Sequence, residues 1–139
     1  YLMYWLYQLF NQHVGDQGVA IRGQAPWFTP TGDDPAHPAG QYAGALTPLL
    51  ATLSEDGRKL ALVVANAVLD QEYPATLTIE GGAVTVTAAT LLRQDDPEAD
   101  PLLTSRDEAV KPLAVQSAGG RLTFRLPGHS VAFIAAEVR

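Results

Sequence analysis

Two pairs of adjacent carboxylates are the first residues in this sequence whose types and spacing could do chemistry. Each pair precedes a proline, in the triplets Asp33-Asp34-Pro35 and Asp95-Asp96-Pro97. Paired carboxylates can act as general acid and base, or they can bind Ca²⁺. A Ca²⁺ loop needs further oxygen ligands at alternating positions and a glycine, which neither triplet supplies. Both triplets are therefore predicted to form Asx turns on solvated loops.

The three histidines and a neighbouring serine are the next candidates. His13, His37 and His129 do not stand at metal-ligand spacing, and the sequence has no cysteine to join them. Ser130 follows His129 but lacks the Gly-x-Ser-x-Gly turn that exposes a nucleophilic serine. We therefore predict no metal, no cofactor and no catalytic residue, and we expect His13 to cap its own helix.

Three aromatic residues give the one pattern that favours ligand binding. Trp27, Phe28 and Tyr42 are interleaved with prolines and glycines in the stretch 23–44, which is predicted to be a long loop. Aromatic rings on such loops can stack on the apolar faces of sugars, so these three residues are the candidate substrate-binding residues. The same rings could instead pack against another domain or subunit, or belong to a mobile loop.

Segment 1–14 is predicted to be a helix that ends near His13 or Val14. Gly15 is predicted to be its left-handed C-cap. One face of this helix is predicted to carry Leu2, Met3, Leu6, Leu9, Phe10 and His13. The opposite face is aromatic, with Tyr1, Tyr4, Trp5 and Tyr7.

A helix that is apolar on all sides is either buried on all sides or crosses a membrane. Ten residues rise about 15 Å, half of what a bilayer core needs, so a membrane span is excluded. A sheet can cover only one side of the helix. We therefore expect Tyr1, Tyr4, Trp5 and Tyr7 to contact protein absent from this sequence, which looks like a fragment.

The rest of the chain, 17–139, alternates with a period of two and is punctuated by glycine and proline. The predicted strands are 18–22, 46–54, 60–67, 76–80, 83–92, 113–116, 121–126 and 130–138. Asp56-Gly57 marks a hairpin, and the continuous apolar run 60–67 predicts a central strand covered on both faces. The fold class is therefore all-β, an antiparallel, jelly-roll-like β-sandwich preceded by one N-terminal α-helix.

Composition narrows the possible partners. The chain has 139 residues, a net charge of −6 and nine scattered basic residues, which argues against nucleic acid and against an anionic membrane surface. The absence of cysteine favours a cytoplasmic protein, although a bacterial secreted enzyme can equally lack it.

Several motifs, in order along the chain, are similar to motifs of one enzyme family. The opening segment resembles the exit of that family's last barrel helix, and the strand 60–66 resembles one that commonly ends in Val-Asn. Leu126-Pro127-Gly128-His129-Ser130-Val131 is similar to the family's Leu-Pro-Pro-His-Ser-Val ending. The segment Asp100–Pro112 keeps only the outline of an Asn-Thr-Phe, Asn-Pro, Val-Pro loop. The matching opening residues are Tyr7, Phe10, Gln12, His13, Gly15 and Asp16. In these motifs and their order the sequence resembles family 51 glycoside hydrolases, the α-L-arabinofuranosidases.

This resemblance implies a parent enzyme with a catalytic (β/α)8 barrel followed by the sandwich. The family releases terminal arabinofuranosyl groups with retention, using two glutamates on barrel strands, and no glutamate of this sequence matches either of them. The chain would then be a non-catalytic C-terminal accessory domain, with the barrel or another subunit as its partner. The resemblance also implies possible homo-oligomers and contact with an arabinose-containing glycan. The sandwich would further borrow a short stretch from the enzyme's N-terminus, which leaves a sheet edge bare without it.

The alternative function is a free-standing carbohydrate-binding or protein-interaction module that uses the stretch 23–44. The polypeptide upstream of Tyr1 distinguishes the two hypotheses, because only the first requires a barrel there.

Overall fold

The computed structural model describes residues 2–25, 27–28, 44–45, 47–100 and 102–139. Two helices are present there, α1 (Leu2–His13) and the single turn α2 (Arg106–Ala109). The strands are β1 (Gln17–Gly18), β2 (Trp27–Phe28), β3 (Gly44–Ala45), β4 (Leu49–Leu53), β5 (Lys59–Asn66), β6 (Tyr73–Thr78), β7 (Val84–Arg93), β8 (Val110–Pro112), β9 (Val115–Ala118), β10 (Arg121–Leu126) and β11 (Ser130–Val138). None of the described helices is both long and apolar enough to span a bilayer.

Two antiparallel sheets face one another. The larger sheet has the order β1-β4-β5-β11-β7-β8, and the smaller has the order β6-β10-β9. A separate two-stranded ribbon joins β2 to β3 within the stretch predicted to be a loop. The predicted fold class, an antiparallel β-sandwich after one N-terminal helix, is confirmed.

The main core fills the space between the sheets. The inward side chains of β5 and β11 alternate with outward ones, as the two-residue period of a strand requires. Leu122 and Ile134 are fully buried at its centre. The larger sheet contributes Leu60, Leu62, Val64, Leu91 and Ile134, and the smaller sheet contributes Leu122, Phe124 and Leu126.

A second core lies on the other face of the larger sheet, under α1. Leu9 of α1 packs on Phe133, with Leu92 of β7 and Ala109 of α2 closing the cluster. Strand β5 is therefore covered on both faces, as predicted, because Leu62 points into the main core and Val63 towards α1.

The orientation of α1 differs from the prediction. Leu2, Leu6 and Leu9 face the sheet as expected, but Trp5 joins them, whereas Met3 and Phe10 point away. A helix contacts a sheet along one stripe, and this stripe is narrower than the part of the α1 surface that carries apolar residues. Only some of the apolar residues of α1 can therefore reach the sheet. The sheet accommodates the large ring of Trp5, and this rotates Met3 and Phe10 outwards.

The end of α1 is fixed by contacts to β4. His13 caps its own helix as predicted, with Nδ1 2.7 Å from the carbonyl oxygen of Leu9. Gly15 is not left-handed, since only Gly57, Gly81 and Gly119 have positive φ among the described glycines. Its role is close approach instead. The backbone N–H of Gly15 donates to Thr52 Oγ1 at 2.7 Å, and a Cβ there would lie 2.9 Å from the Leu53 backbone.

Two other local predictions were wrong. The predicted strand 18–22 shrinks to β1, after which Val19 donates one hydrogen bond to the Ala51 carbonyl oxygen. The stretch 93–112, where no strand was predicted, contains β8 and the single turn α2, whose capping box joins Ser105 to Glu108. The sequence signal for this helix start was present, since Ser-x-x-Glu is the capping-box pattern.

The Gly15→Ala substitution is expected to destabilise the protein by about 1–3 kcal/mol, because the added methyl group overlaps backbone atoms of Leu53. Gly23→Ala is the matched control, since a Cβ there meets nothing within 4 Å. Urea unfolding measures both free energies. Equal midpoints for the two variants would contradict the proposed role of Gly15.

Candidate docking surface

The outward face of α1 is a band of exposed apolar side chains. Met3 and Tyr4 are each 55% exposed, Tyr7 is 62% exposed and Phe10 is 37% exposed. These positions fall on one side of a helix, away from the stripe that packs on the sheet. Large apolar side chains grouped in this way are typical of a surface that contacts other protein.

The predicted interface residues divide between the two sides of α1. Tyr4 and Tyr7 lie on the outward face, whereas Trp5 is half-buried towards the sheet. The rings of Tyr4 and Trp5 meet edge to face, with centroids 4.7 Å apart. Trp5 Nε1 is buried and finds no hydrogen-bond partner within the described residues. Tyr1 lies outside those residues.

The segment before α2 carries two further exposed apolar side chains. Leu102 is 55% exposed and Leu103 is 81% exposed, in a turn where the Leu103 N–H donates to the Asp100 carbonyl oxygen. The following helix packs against α1 through Ala109, which is fully buried beside Leu9. We use the name docking face for Met3, Tyr4, Tyr7, Phe10, Leu102 and Leu103.

A cleft of about 270 Å³ opens at the N-terminal end of α1. Its walls are mainly apolar, with Leu2, Met3 and Leu6 on the helix side and Val131 on the sheet side. His129 lines it as well. Since Met3 belongs to both, the cleft is continuous with the docking face and is wide enough for an apolar side chain.

A second opening lies between the two sheets. The smaller sheet is three strands wide and the larger is six, so part of the larger sheet's inner face lies beyond the β6 edge. A cavity of about 350 Å³ occurs there, lined by Leu49 and Leu60 on one side and by Leu77 and Ile79 on the other. Within the described residues β6 pairs only with β10, so its outer edge is open.

Two of the three candidate sugar-binding residues are among the described residues. Trp27 and Phe28 form β2, with their Cα atoms opposite Ala45 and Gly44 of β3. Tyr42 is outside the described residues. The sugar contact at these three residues stays a prediction.

The carboxylates and histidines meet no common centre in the described part of the chain. No group of three or more metal-ligating side chains occurs there. Asp96 Oδ1 accepts from the Glu98 N–H at 3.0 Å, the predicted Asx turn, while Asp95 accepts from Lys111 Nζ at 2.5 Å. Asp33, Asp34 and His37 lie outside the described residues.

Two of the sequence motifs that carried the resemblance meet at one end of the sandwich. Asn66, which ends β5, is 2% exposed and bonds through both side-chain polar atoms. Its Nδ2 donates to the carbonyl oxygens of Gln71 (2.7 Å), Leu126 (3.1 Å) and Pro127 (3.0 Å). Its Oδ1 accepts from the Val68 N–H at 3.0 Å. Asn66 thereby ties the loop after β5 to the turn between β10 and β11.

The same turn is held by His129, which has a φ of 42°. Its Nδ1 lies 2.5 Å from the Leu69 carbonyl oxygen and its Nε2 lies 2.7 Å from that of Gln94. A Cβ on Gly128 would lie 2.5 Å from the Leu69 carbonyl oxygen, so the glycine permits this approach. Ser130 Oγ donates to the Pro127 carbonyl oxygen at 2.6 Å, which gives the serine a structural contact.

Several of the solved structures that match this chain are arabinofuranosidases. A crystal structure of an arabinofuranosidase matches 97% of this chain with a TM-score of 0.70 and 15% identity. The thermostable family 51 α-L-arabinofuranosidase of Thermotoga petrophila RKU-1 matches 93%, with a TM-score of 0.68 and 15% identity. A family 51 α-L-arabinofuranosidase of Bifidobacterium longum matches 94%, with a TM-score of 0.66 and 19% identity.

This chain has the fold of one part of those enzymes. It covers 28%, 27% and 24% of their chains respectively, so it spans about a quarter of the length of the structures it matches. No family model and no curated protein matches the sequence.

Replacing Asn66 by alanine is expected to lower the free energy of unfolding by about 2–4 kcal/mol, because several backbone groups around it lose their partner. Asn11→Ala, at an exposed position of α1, is the control and should change stability by less than about 0.5 kcal/mol. Thermal or urea unfolding compares the two. A loss at Asn66 no larger than at Asn11 would refute this role.

Lys111 is expected to control the ionisation of Asp95. The hydrogen bond from Lys111 lowers the pKa of Asp95 below its ordinary value of 3.8, with nearby Arg93 and His129 adding smaller attractions. A carboxyl group whose pKa is lowered by folding stabilises the fold at every pH above its ordinary pKa. This stabilisation is lost as the pH falls through the lowered pKa of the folded state.

An NMR titration of the Asp95 carboxyl in Lys111→Met should show its pKa rising towards 3.8. The carboxyl of Asp56, whose pKa is lowered by Ser54, serves as the internal reference and should not move. An unchanged Asp95 titration in the variant would rule out the Lys111 contact.

Proposed function

We propose that this chain is the non-catalytic C-terminal accessory domain of an α-L-arabinofuranosidase and packs on a catalytic barrel in the same polypeptide. Segment 1–14 then forms the junction: its sheet-facing side belongs to the sandwich 17–139, and its outward side belongs to the barrel contact. The retaining hydrolysis of arabinofuranosyl groups would be carried out by two barrel glutamates, with none supplied by this chain.

The observation that carries this proposal is the uncovered apolar face of α1. The sheet covers Leu2, Leu6 and Leu9, while Tyr4 and Tyr7 on the other side are more than half exposed. Burial of a large aromatic side chain contributes about 2 kcal/mol, so leaving two of them in water forgoes substantial stability. A barrel packed on this side would recover it.

The outer edge of β6, with which no described strand pairs, supports the same proposal. An extended segment beside β6 would satisfy the backbone groups that no described strand pairs with, and it would cover Leu49 across the cavity. A contact of this kind would come from another stretch of the same enzyme. It is independent of the α1 contact, since the cavity lies between the sheets and α1 lies on the outer face of the larger one.

The decisive experiment uses the complete polypeptide that contains this sequence. The proposal predicts a barrel in it and turnover of a chromogenic α-L-arabinofuranoside, with no turnover by the 139-residue chain alone. A complete polypeptide without a barrel, or with one that does not hydrolyse arabinofuranosides, would overturn the proposal.

In that polypeptide the double substitution Tyr4→Ser and Tyr7→Ser should lower the free energy of unfolding by about 2–4 kcal/mol, since both rings lose a buried environment. Gln12→Ser is the control, because it changes an exposed helix position outside the docking face. Calorimetry of the three proteins measures the effect. If the double variant unfolds at the same temperature as the control, the rings contact no other domain.

A further inference from the structure

The segment 95–108 meets the docking face where Pro97 and Met3 line the same cleft, and it carries most of the net negative charge of the chain. It contains six carboxylates and one arginine, a net charge of −5 against −6 for the whole sequence. Segment 1–14, in contrast, contains no aspartate, glutamate, lysine or arginine. The apolar face therefore has a strongly acidic margin on one side.

The packing of α2 fixes this margin in place. Ala109 is fully buried against Leu9, so the acidic segment that leads into α2 lies beside α1. Local hydrogen bonds hold described parts of the segment: Ser105 and Glu108 form a capping box, and Asp100 Oδ1 accepts from the Leu102 N–H at 2.8 Å. Exposed Leu102 and Leu103 stand among these carboxylates.

Most of these carboxylates are not neutralised within the described chain. Asp95 pairs with Arg93 and Lys111, whereas Glu98 and Asp100 make no salt bridge with any described residue. Both are exposed, so in isolation they are hydrated and repel one another. A partner that buries the neighbouring leucines would strip part of that hydration, which is unfavourable unless the partner supplies positive charge.

We infer that the surface docked on α1 has an apolar centre bordered by lysine or arginine side chains that face the carboxylates of segment 95–108. The inference rests on the proposed function, because it takes the partner to be another domain of the same polypeptide. It adds the chemistry of that partner surface, which the proposed function leaves open.

A second copy of this chain does not fit the docking face as well. A 12-residue helix is about 18 Å long, so two such helices side by side bury on the order of 200–400 Å² per copy. A standard interface buries about 800 Å² per partner. Two copies would also bring together two segments of the same negative charge, and each would lack the positive charges that the other needs.

The test compares thermal unfolding of the complete polypeptide with that of the double variant Glu98→Gln, Asp100→Asn. Both substitutions remove charge with little change of shape, and the asparagine oxygen can still accept from the Leu102 N–H. If basic residues face the segment, the variant should unfold about 2–5 °C lower in dilute buffer. The difference should shrink by more than half at about 0.5 M NaCl, where exposed charges are screened.

Glu55→Gln is the control, since Glu55 is exposed in the β4–β5 hairpin, and it should shift the midpoint by less than about 1 °C.

The direction in which the unfolding temperature of the double variant changes shows whether basic residues face segment 95–108. If segment 95–108 faces only water or other carboxylates, removing two charges relieves repulsion, and the variant unfolds at the same or a higher temperature. That result overturns the inference, as does a shift equal to that of Glu55→Gln. Arabinofuranosidase activity of the same samples separates the two proposals: activity together with a raised midpoint overturns only the inference, whereas a polypeptide without a barrel overturns both.

Discussion

The structure depends on a helix that is apolar on more sides than its own sheet can cover. Leu9 packs on Phe133 at the centre of the outer core, and Leu2, Trp5 and Leu6 extend this contact along the sheet. The opposite side, which includes Tyr4 and Tyr7, has no contact of that kind among the described residues. Since an amphipathic helix needs only one apolar stripe to dock on a sheet, the second stripe is what distinguishes α1 from an ordinary surface helix.

The strands were predictable wherever local periodicity matched the final packing. The predicted strands 121–126 and 130–138 coincide with β10 and β11, because alternate residues there do face the core. Periodicity failed where a tertiary contact decided the outcome. The 18–22 strand was lost after β1 because its later residues leave the β4 edge, and the sequence around Gly15 resembles a left-handed cap although close approach to Leu53 is what requires the glycine.

The sequence predicted that α1 carries an exposed apolar surface, but it predicted only some of the residues that form this surface. The sequence indicated a two-sided apolar helix, but which side Trp5 takes depends on the shape of a sheet formed by residues far along the chain. Asn66 contacts Leu126 and Pro127 in the β10–β11 turn, and these partners lie 60 and 61 positions further along the chain. No local pattern predicts them, and only the resemblance grouped those motifs. Identities of 15–19% to the matched arabinofuranosidases show a shared fold, and a shared fold by itself does not establish an activity.

Hydroxyl-radical footprinting of the complete polypeptide reports the solvent access of individual aromatic side chains, so it shows whether another domain covers the outer side of α1. We expect Tyr4 and Tyr7 to react far more slowly there than an exposed tyrosine of the same sample, although this chain by itself leaves them 55% and 62% exposed. Fast oxidation of both rings in the intact, folded polypeptide would show that nothing covers the outer side of α1, and the proposed packing of this helix on another domain would be wrong.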